Sequence, residues 1–256
     1  MVSNAGQQLS EIRGFIIAKN EAPNIERAVS SLVNLGLEVT VLDSGSTDGT
    51  CAIAERAQAS VVAFNYIDHC SAYNEVTSKA PSTVGCLIID ADMIVSASLW
   101  AAAKAVLAMG AEVVRAKVSL TCAGRPLRFA SLYPPKPFLF RGGTCYFRPS
   151  GHGEALVRGV RVVTVSEPLV HDDRKRFGRH LATQHRYALQ LADRQSKGQG
   201  SWMDWVRLYT PFSVLAIAPY IVVARLGLLD GRAGLQYALE RVITEAMIFR
   251  EGLRRL

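Results

Sequence analysis

The stretch Val84-Gly-Cys-Leu-Ile-Ile-Asp-Ala-Asp92 decides how the rest of the chain can be organised. Its first six residues are apolar or small, which is typical of a strand buried on both faces of a parallel sheet. Two carboxylates, Asp90 and Asp92, follow where that strand should end. Because residues i and i+2 of a strand point to the same face, both carboxylates can reach one point. The spacing predicts a ligand site at the carboxyl end of this strand, where open α/β sheets bind their ligands.

The chemistry of this pair indicates a divalent cation. Two hard oxygen ligands on one side, with room opposite, suit Mg²⁺ or Mn²⁺ bridged to the phosphates of a ligand. Taken alone, an Asp-x-Asp pair is as typical of a structural strand end followed by a helix-capping Asp. The surrounding sequence has to distinguish the two interpretations.

Charge is unevenly distributed along the 256 residues, of which 49% are hydrophobic and 20% charged. Residues 1–120 hold 8 Lys or Arg and 12 Asp or Glu, whereas residues 121–256 hold 21 and 10. The composition excludes a disordered or fibrous chain. The basic second half indicates an anionic partner such as ligand phosphates or lipid headgroups. Nucleic acid is not expected, because the basic residues are not interleaved with aromatic ones in a recognisable motif.

The cysteines and the N-terminus bear on the compartment. Five widely spaced cysteines without a C-x-x-C pair favour reduced thiols and argue against a zinc site. Residues 1–10 are polar and do not resemble a signal peptide. We therefore expect a cytoplasmic protein.

The first half alternates between strand and helix patterns. Strands are predicted at residues 12–18, 37–42, 61–64 and 84–89, and helices at 24–35, 47–58 and 71–80. This alternation predicts a mostly parallel, Rossmann-like sheet with right-handed crossovers and helices on both faces.

Two further polar clusters follow predicted strands, Lys19-Asn20-Glu21 and Asp43-Ser-Gly-Ser-Thr-Asp-Gly-Thr50. They should lie on the same edge of the sheet as Asp90 and Asp92. A nucleotide at that edge needs a carboxylate for its base or ribose and backbone donors for its phosphates. No G-x-G-x-x-G or Walker A motif occurs, which weakens a dinucleotide or P-loop interpretation. Ser-Thr-Asp-Gly is also good turn chemistry by itself.

In order and spacing, these motifs resemble the family 2 inverting glycosyltransferases of the GT-A fold. The resemblance is carried by IIAKNEAPNIERAVSSL (Ile16 to Leu32), VLDSGSTDGT (Val41 to Thr50), Asn74 in CSAYNE, and LIIDAD (Leu87 to Asp92). It covers the first half of the chain, and the nearer relatives are bacterial lipopolysaccharide and exopolysaccharide glycosyltransferases. It implies a nucleotide-sugar donor, Mn²⁺ or Mg²⁺, and a cell-surface polysaccharide pathway.

The resemblance also implies roles for individual residues. The nucleotide would contact Lys19, Asn20, Glu21, Asp43, Ser44, Asn74, Asp90 and Ala91, and the metal would contact Asp92, Asp90 and His171. One position departs from the family: Tyr73 stands where Arg or Lys is common before the middle-helix Asn. A diphosphate contact is therefore either absent or supplied by Lys79 or by an arginine of the second half.

The second half is expected to bind the acceptor, up to about residue 175. By resemblance, Glu154 in Gly151-His-Gly-Glu154 matches the usual catalytic base, although Gly153 departs from the commoner spacing. His152 is the alternative base. For His171, capping of the following helix is as reasonable an interpretation as metal ligation.

The C-terminal region, residues 176–256, is predicted to be a helical appendage to the catalytic domain of residues 1–175 (1–120 for the nucleotide sugar, 121–175 for the acceptor). Leu208–Ala224 is 17 residues without a charge, bounded by Arg207 and Arg225. This falls short of the ~20 residues of a simple span, and Pro219 interrupts it. An interfacial hairpin on the inner face of the cell membrane is one interpretation. A helix buried in an oligomer or against the first domain is the other.

Together these features and the family resemblance predict a metal-dependent, inverting glycosyltransferase that uses a UDP-linked sugar and a saccharide or lipid-linked acceptor. A nucleotidyltransferase would share the fold but should show a Gly-rich basic loop after the first strand, which Ala18-Lys-Asn-Glu21 is not. A non-catalytic nucleotide-sugar-binding scaffold at the membrane would lack the acceptor base.

Overall fold

The computed structural model describes residues 9–122, 124–143, 146–150, 153–157 and 159–256. The chain forms two compact units. The first holds the chain as far as Val118 together with Tyr133–Arg174, and the second holds Ser119–Leu132 and Lys175–Leu256. Residues 119–132 therefore belong to the same unit as the C-terminal helices, although the sequence analysis places the acceptor half at residues 121–175.

The first unit begins with the alternating elements that the sequence predicts. They are β1 (Glu11–Ala18), α1 (Ile25–Val33), β2 (Val39–Asp43), α2 (Thr50–Arg56), β3 (Ser60–Ala63), α3 (His69–Lys79) and β4 (Val84–Asp90). The four strands are parallel and lie side by side in the order β3-β2-β1-β4. The predicted α/β class is confirmed.

Beyond β4 the sheet gains antiparallel strand pairs. The elements are β5 (Met93–Ile94), α4 (Ala97–Ala108), β6 (Val113–Cys122), β7 (Arg125–Pro126), β8 (Lys136–Arg141), β9 (Phe147–Ser150), β10 (Gly153–Leu156) and β11 (Val162–His171). Among the described residues the sheet continues from β4 through β8, β6 and β11 to β5. Strands β9 and β10 form a separate antiparallel hairpin. The sheet is thus mixed, with its parallel half at the N-terminal end of the chain.

Alternation along the strands gives the parallel half of the sheet two buried faces. Ile16 and Ile89 pack in one apolar cluster with α1 and α4, whereas Ile88 packs in another with Tyr73 of α3. Successive strand residues point to opposite faces, so neighbours such as Ile88 and Ile89 enter different cores. Helices cover both faces, as an α/β sheet of this type requires.

The second unit is built around one long helix. Its elements are α5 (Phe177–Ser196), α6 (Trp202–Tyr209), α7 (Phe212–Pro219), a π-helical turn (Tyr220–Ala224), a 3₁₀ turn (Gly227–Asp230) and α8 (Gly231–Leu253). Helices α5, α6 and α7 all pack against α8. Gly252 allows the closest approach, because a Cβ there would lie 1.9 Å from the Leu208 carbonyl oxygen. The predicted helical C-terminal region is confirmed.

The uncharged stretch from Leu208 to Ala224 is broken into helical pieces. Across the described ranges, no helix is by itself long and apolar enough to cross a membrane. The pair Trp202–Tyr209 and Phe212–Ala224, bent by 97°, meets the length and composition requirement only when taken together. Leu208 and Ile221 are buried within the unit, so this stretch is partly core.

Candidate functional site at the carboxyl edge of the sheet

Three loops converge where the parallel strands end. In the sheet register Ala18 lies beside Asp43, and Ile17 lies beside Asp90. The loops that follow β1, β2 and β4 therefore leave the sheet next to one another. The strand register therefore places the three polar clusters at one edge of the sheet, as the sequence predicts.

The loops after β1 and β2 are joined by hydrogen bonds. The Asn20 amide nitrogen donates to Ser46 Oγ at 2.7 Å, and the Thr47 amide donates to Asn20 Oδ1 at 2.7 Å. The Glu21 amide donates to Thr50 Oγ1, also at 2.7 Å. Asn20 has φ of 57°, a left-handed conformation that Asn tolerates better than most residues. These bonds fix the backbone that presents Glu21.

Asp43 organises the turn after β2. Its carboxylate accepts from the backbone amides of Gly45 at 3.0 Å and Ser46 at 2.9 Å, and from Ser46 Oγ at 2.5 Å. Burial alone would raise the pKa of Asp43, but the hydrogen bonds from Ser46 and Gly45 lower it below its ordinary value. The carboxylate is therefore ionised at neutral pH, and both of its oxygens already take part in the turn.

Asp90, at the end of β4, has a cation beside it. Lys136 Nζ of β8 forms an ion pair with Asp90 Oδ2, and His69 Nδ1 lies 3.7 Å from Oδ1. Burial opposes ionisation of both partners, yet the attraction between them lowers the pKa of Asp90 and raises that of Lys136. Lys136 was not identified from the sequence, although it lies in Tyr133-Pro-Pro-Lys-Pro137 and is the charged residue of that apolar segment.

Asp92 and His171 are brought together by a short strand pairing. Strand β5 runs antiparallel to the end of β11, with His171 opposite Met93. The Asp172 amide donates to the Asp92 carbonyl oxygen at 2.9 Å. His171 Nε2 lies 3.4 Å from Asp92 Oδ2. Burial would lower the pKa of His171, but the hydrogen bond and charge of Asp92 raise it.

Three carboxylates from separate parts of the chain form an acidic cluster. One ligand oxygen from each of Glu21, Asp92 and Asp173 lies within 4.8 Å of the others. The three side chains are half-buried. Carboxylate oxygens are the ligands that Mg²⁺ and Mn²⁺ prefer. This set could hold such an ion, and of the predicted metal ligands it includes Asp92 but neither Asp90 nor His171.

Asn24 links two members of this acidic cluster. It is 1% exposed. Its Nδ2 donates to Glu21 Oε2 and to Asp173 Oδ1, each at 2.9 Å. Its Oδ1 accepts from Arg27 Nη2 at 3.1 Å and from the Arg174 amide at 2.9 Å. One buried amide thus uses both donors and its acceptor to tie the start of α1 to the segment after β11.

Arg27 strengthens the same connection. Its Nη1 lies 2.5 Å from Asp172 Oδ2, and its Nη2 donates to the Asp172 carbonyl oxygen at 2.7 Å. Arg174 Nε also contacts Asp172 Oδ2, at 3.1 Å. The His171-Asp172-Asp173 run therefore divides its roles. Asp172 holds the segment against α1, and Asp173 faces Glu21.

Two predicted positions in α3 have structural partners. The Asn74 side chain donates to the Phe147 carbonyl oxygen at 2.7 Å and accepts from the Phe147 amide at 3.0 Å, which joins α3 to β9. Tyr73 is fully buried and packs against Phe140 and Phe147. The residue that replaces the family's usual cation is thus part of the core.

Other sequence candidates fall on either side of the edge. Lys19 and Ser44 follow β1 and β2 directly, and Ala91 lies buried between the two aspartates. Lys79 ends α3 shortly before β4 begins, so it lies toward the opposite edge, where it pairs with Glu75 at 2.7 Å. Lys136, in contrast, lies at the carboxyl edge beside Asp90.

The acceptor-side candidates lie in the hairpin of the first unit. Glu154 is in β10, opposite Pro149 of β9. Its side chain is not among the parts that the structure describes. His152 lies outside the described residues. The choice between these two bases therefore stays a prediction.

The parallel sheet, the joined loops and the acidic cluster at its carboxyl edge define a GT-A type domain, in which a divalent cation and a nucleotide would meet. Residues 15–114 match the sequence profile described as Glycosyl transferase family 2. This match confirms the predicted resemblance of the first half of the chain to the family 2 glycosyltransferases.

Short matches to bacterial proteins agree with this assignment. A Rickettsia felis protein described as an uncharacterized glycosyltransferase is 52% identical over 54 residues, 21% of this chain and 19% of its own length. A Rickettsia bellii protein with the same description is 56% identical over 52 residues, 20% of this chain and 18% of its own. The chain spans about a fifth of the length of the curated relatives it matches.

Solved structures give longer but more distant matches. Glucosyl-3-phosphoglycerate synthase from Mycobacterium tuberculosis, in complex with Mn²⁺, UDP and glucosyl-3-phosphoglycerate, is 20% identical. It covers 74% of this chain and 81% of its own, with a TM-score of 0.45. Mannosyl-3-phosphoglycerate synthase from Rubrobacter xylanophilus is also 20% identical, over 43% and 40%, with a TM-score of 0.36.

Proposed function

We propose that this protein is a metal-dependent, inverting glycosyltransferase that transfers a sugar from a nucleotide sugar, UDP-linked, to a saccharide or lipid-linked acceptor in cell-surface polysaccharide synthesis. The observation that carries the proposal is the acidic cluster of Glu21, Asp92 and Asp173. It lies beside two hydrogen-bonded loops at the carboxyl edge of a family 2 domain. Loops at this edge are where α/β sheets bind nucleotides.

The donor set fits Mn²⁺ or Mg²⁺, which would supply Lewis-acid stabilisation of the charge on the leaving diphosphate. Glu21, Asp92 and Asp173 would hold the cation. We prefer this set to one built on Asp90, because Lys136 already neutralises Asp90. His171 beside Asp92 would orient that carboxylate rather than bind the cation itself.

The loops after β1 and β2 would hold the nucleotide. Asn20 and Asp43 are fixed by bonds to the same turn, so a base or ribose placed there would meet preorganised groups. Lys136 would act on the diphosphate only by sharing its charge with Asp90, and Tyr73, buried in the core, cannot supply a cation. Asp90 remains a proposed ribose contact.

We assign the acceptor base to Glu154, with His152 as the alternative. The base would accept the proton of an acceptor hydroxyl while the oxygen of that hydroxyl bonds to the anomeric carbon. The bond from that carbon to the donor phosphate oxygen breaks at the same time, and the nucleoside diphosphate leaves with the electron pair. Attack from the face opposite the leaving group inverts the anomeric centre in a single displacement.

The proposed location is peripheral, on the inner face of the cell membrane. Its support is the second unit, where Trp202, Trp205 and Phe212 are at least half exposed. Aromatic side chains are favoured at headgroup depth. A lipid-linked acceptor would then be available at the same membrane.

Calorimetry with a panel of nucleotide sugars, with and without Mn²⁺, tests the proposal. We expect one donor to bind in a metal-dependent manner and to be turned over when extracts containing lipid-linked saccharides are added. 3-Phosphoglycerate belongs in the acceptor panel as a small anionic acceptor. Metal-independent binding of every donor would contradict the proposed cation role. Donor binding without transfer to any acceptor would favour the scaffold, and diphosphate release from nucleoside triphosphates would favour a nucleotidyltransferase.

A further inference from the structure

A groove opens on the second unit between α6 and α7, with α8 as its floor. Its volume is about 610 Å³. The apolar lining is contributed by Trp202, Met203, Phe212, Ala216, Ile217 and Tyr220. Ligand sites typically enclose about 300–1,000 Å³, so this α6–α7 groove is large enough for a substantial part of a small amphiphile.

The rim of the α6–α7 groove is apolar as well. Trp202 is 75% exposed, Phe212 67% and Met203 56%. Single exposed apolar side chains are ordinary on proteins, but a group of large ones around an open groove is typical of an interaction site. The rim and the groove together form one continuous apolar surface on α6 and α7.

The floor of the groove is polar and positively charged. Glu245 of α8 is buried and accepts from Arg207 Nε at 2.8 Å and Nη2 at 2.7 Å. Arg241 Nη2 donates to the same carboxylate at 3.0 Å. Two guanidinium groups thus share one carboxylate, which leaves an excess positive charge in the groove.

Arg241 has donor capacity left over. Its Nε is buried and has no hydrogen-bond partner within the described part of the chain. Ser213 Oγ of α7 also lines the groove, and it too is buried without a hydrogen-bond partner within the described residues. Buried donors normally have partners, so both atoms indicate an acceptor that enters the groove. Arginine is well suited to a phosphate oxygen.

The charge of the whole unit favours an anionic occupant. Residues 119–132 and 175–256 hold 15 Lys or Arg and 6 Asp or Glu. A second copy of this chain would bring the same positive surface to the groove, so self-association is electrostatically disfavoured. An anionic lipid brings a hydrocarbon chain for the walls and a phosphate for the floor.

We propose that the α6–α7 groove binds one acyl chain of an anionic membrane phospholipid, with Arg241 and Ser213 contacting its phosphate. This inference deepens the proposed peripheral location and rests on it, but it does not depend on sugar transfer. The proposed ligand is a phospholipid of the bilayer and not the sugar acceptor. The aromatic rim would then lie at the headgroup level around the bound lipid.

Fluorescence quenching by brominated lipids tests the site directly. Full-length protein is mixed with phosphatidylcholine vesicles that contain phosphatidylglycerol brominated on its acyl chains. Trp202 lines the groove and Trp205 is half exposed on the same helix, whereas Trp100 is buried in the first unit. We expect quenching that disappears in the Trp202→Phe, Trp205→Phe double variant. Quenching that persists in that variant, or that is equal with brominated phosphatidylcholine alone, would overturn the proposal.

Two variants separate the groove from general surface attraction. Ala216→Trp should fill the groove and weaken vesicle affinity about tenfold, which corresponds to about 1.4 kcal/mol. Arg241→Gln should weaken affinity for anionic vesicles to a similar degree while Arg207 still pairs with Glu245. Arg232→Gln removes the same charge from an exposed position of α8 and serves as the matched control. If Arg232→Gln loses as much affinity as Arg241→Gln, the attraction is nonspecific and the proposed site is wrong.

Folding and the alternative occupants are checked in the same samples. Mn²⁺-dependent nucleotide-sugar binding by each variant reports on the first unit. If this binding is retained while vesicle affinity falls, the variant is folded and the site is supported. Light scattering of the native protein tests a second copy as the occupant. A dimer that Ala216→Trp converts to a monomer would show that the groove is a self-interface and would overturn the lipid proposal. If the native protein binds no nucleotide sugar, that result contradicts the proposed function but not the lipid proposal.

Discussion

Two sets of acidic side chains, one in each unit, have opposite surroundings. In the second unit Glu245 is shared by two arginines, and Glu251 lies within 4.0 Å of three basic side chains, those of His185, Arg250 and Arg254. In the first unit Glu21, Asp92 and Asp173 are gathered with their oxygens facing one another. Carboxylates that approach so closely repel unless a proton or a cation lies between them. A carboxylate neutralised by basic side chains indicates a structural role, whereas several carboxylates brought close together indicate a ligand site.

The neighbours of the gathered carboxylates support the same distinction. Asn24 donates to Glu21 and Asp173, and His171 lies beside Asp92. A hydrogen bond from an amide orients a carboxylate without cancelling its charge. Side chains that hydrogen-bond to metal ligands commonly orient those ligands in this way. Arginine pairs in the second unit do cancel charge. The comparison therefore predicts that equivalent substitutions affect different properties in the two units.

The largest effect is expected for Asp92→Asn. Removal of this negative charge should reduce metal-dependent turnover by at least about a thousandfold, or about 4 kcal/mol, and should weaken Mn²⁺ binding measured by electron paramagnetic resonance. The thermal midpoint without metal should change little, because Asn keeps the shape of the side chain. Full turnover of this variant at ordinary Mn²⁺ concentrations would contradict the metal assignment.

Glu245→Gln is the matching change in the second unit. It leaves Arg207 and Arg241 without their shared charge, and breaking a buried ion pair costs about 3–5 kcal/mol. Urea unfolding should show this loss while Mn²⁺ affinity stays unchanged. Glu240→Gln, a half-buried position on the same helix, is the control and should shift the midpoint little. Loss of Mn²⁺ affinity in Glu245→Gln would mean that the two kinds of acid are not functionally distinct.

A smaller effect is expected for Asn24→Ala, which tests whether the amide positions the acidic cluster. Without its two donated bonds, Glu21 and Asp173 should lose their fixed geometry, and Mn²⁺ affinity should fall about 10- to 100-fold. Asn34→Ala, an exposed position just after α1, is the control. If Asn24→Ala lowers stability but leaves Mn²⁺ affinity intact, Asn24 is only structural.

The regular elements of the first half were predictable because their signals are local. The apolar run from Val84 to Ile89 gave β4 within one residue, and helical spacing gave α1 within two at each end. Family resemblance identified Asp92 and Glu21 as candidate site residues, although it gave Glu21 to the nucleotide. A local pattern is sufficient wherever a strand buries both faces or a helix buries one.

The rest of the site depends on contacts between distant residues. Asp173 joins the acidic cluster because the two-residue strand β5 pairs with β11, and a strand of that length has no periodicity to detect. Asn24 reaches a carboxylate 149 residues away, and Lys136 reaches Asp90 across 46 residues. Asn74 matched the family motif, yet its amide is bonded to the Phe147 backbone. The motif gives the residue type, and only the tertiary contact shows what its side chain binds.

The smallest effect is expected for Asp43→Asn, which asks whether the turn after β2 binds nucleotide or only shapes the loop. If Asp43 contacts the base or ribose, the nucleotide-sugar Kd should rise about tenfold, or about 1.4 kcal/mol, while the chemical rate changes less. Ser46→Ala is the comparison variant, because it removes the 2.5 Å bond to Asp43 and the bond from the Asn20 amide without changing the carboxylate charge. Equal increases in the nucleotide-sugar Kd of both variants would show that Asp43 acts only through the shape of the turn.

The pH dependence of the same site provides a second measurement. Hydrogen bonds in the turn hold the pKa of Asp43 below 3.8 in the folded protein, despite the opposing effect of burial. A carboxylate with a lowered folded pKa stabilises the protein above its unfolded pKa, and that contribution is lost as the pH falls through the folded value. Native protein should therefore lose stability below about pH 4, and Asp43→Asn should lose less, because it has no proton to bind at this position. Parallel acid-unfolding curves for the two proteins would mean that the hydrogen bonds to Asp43 do not favour its ionised form. The turn would then give Asp43 no advantage over Ser46 as a partner for a ribose.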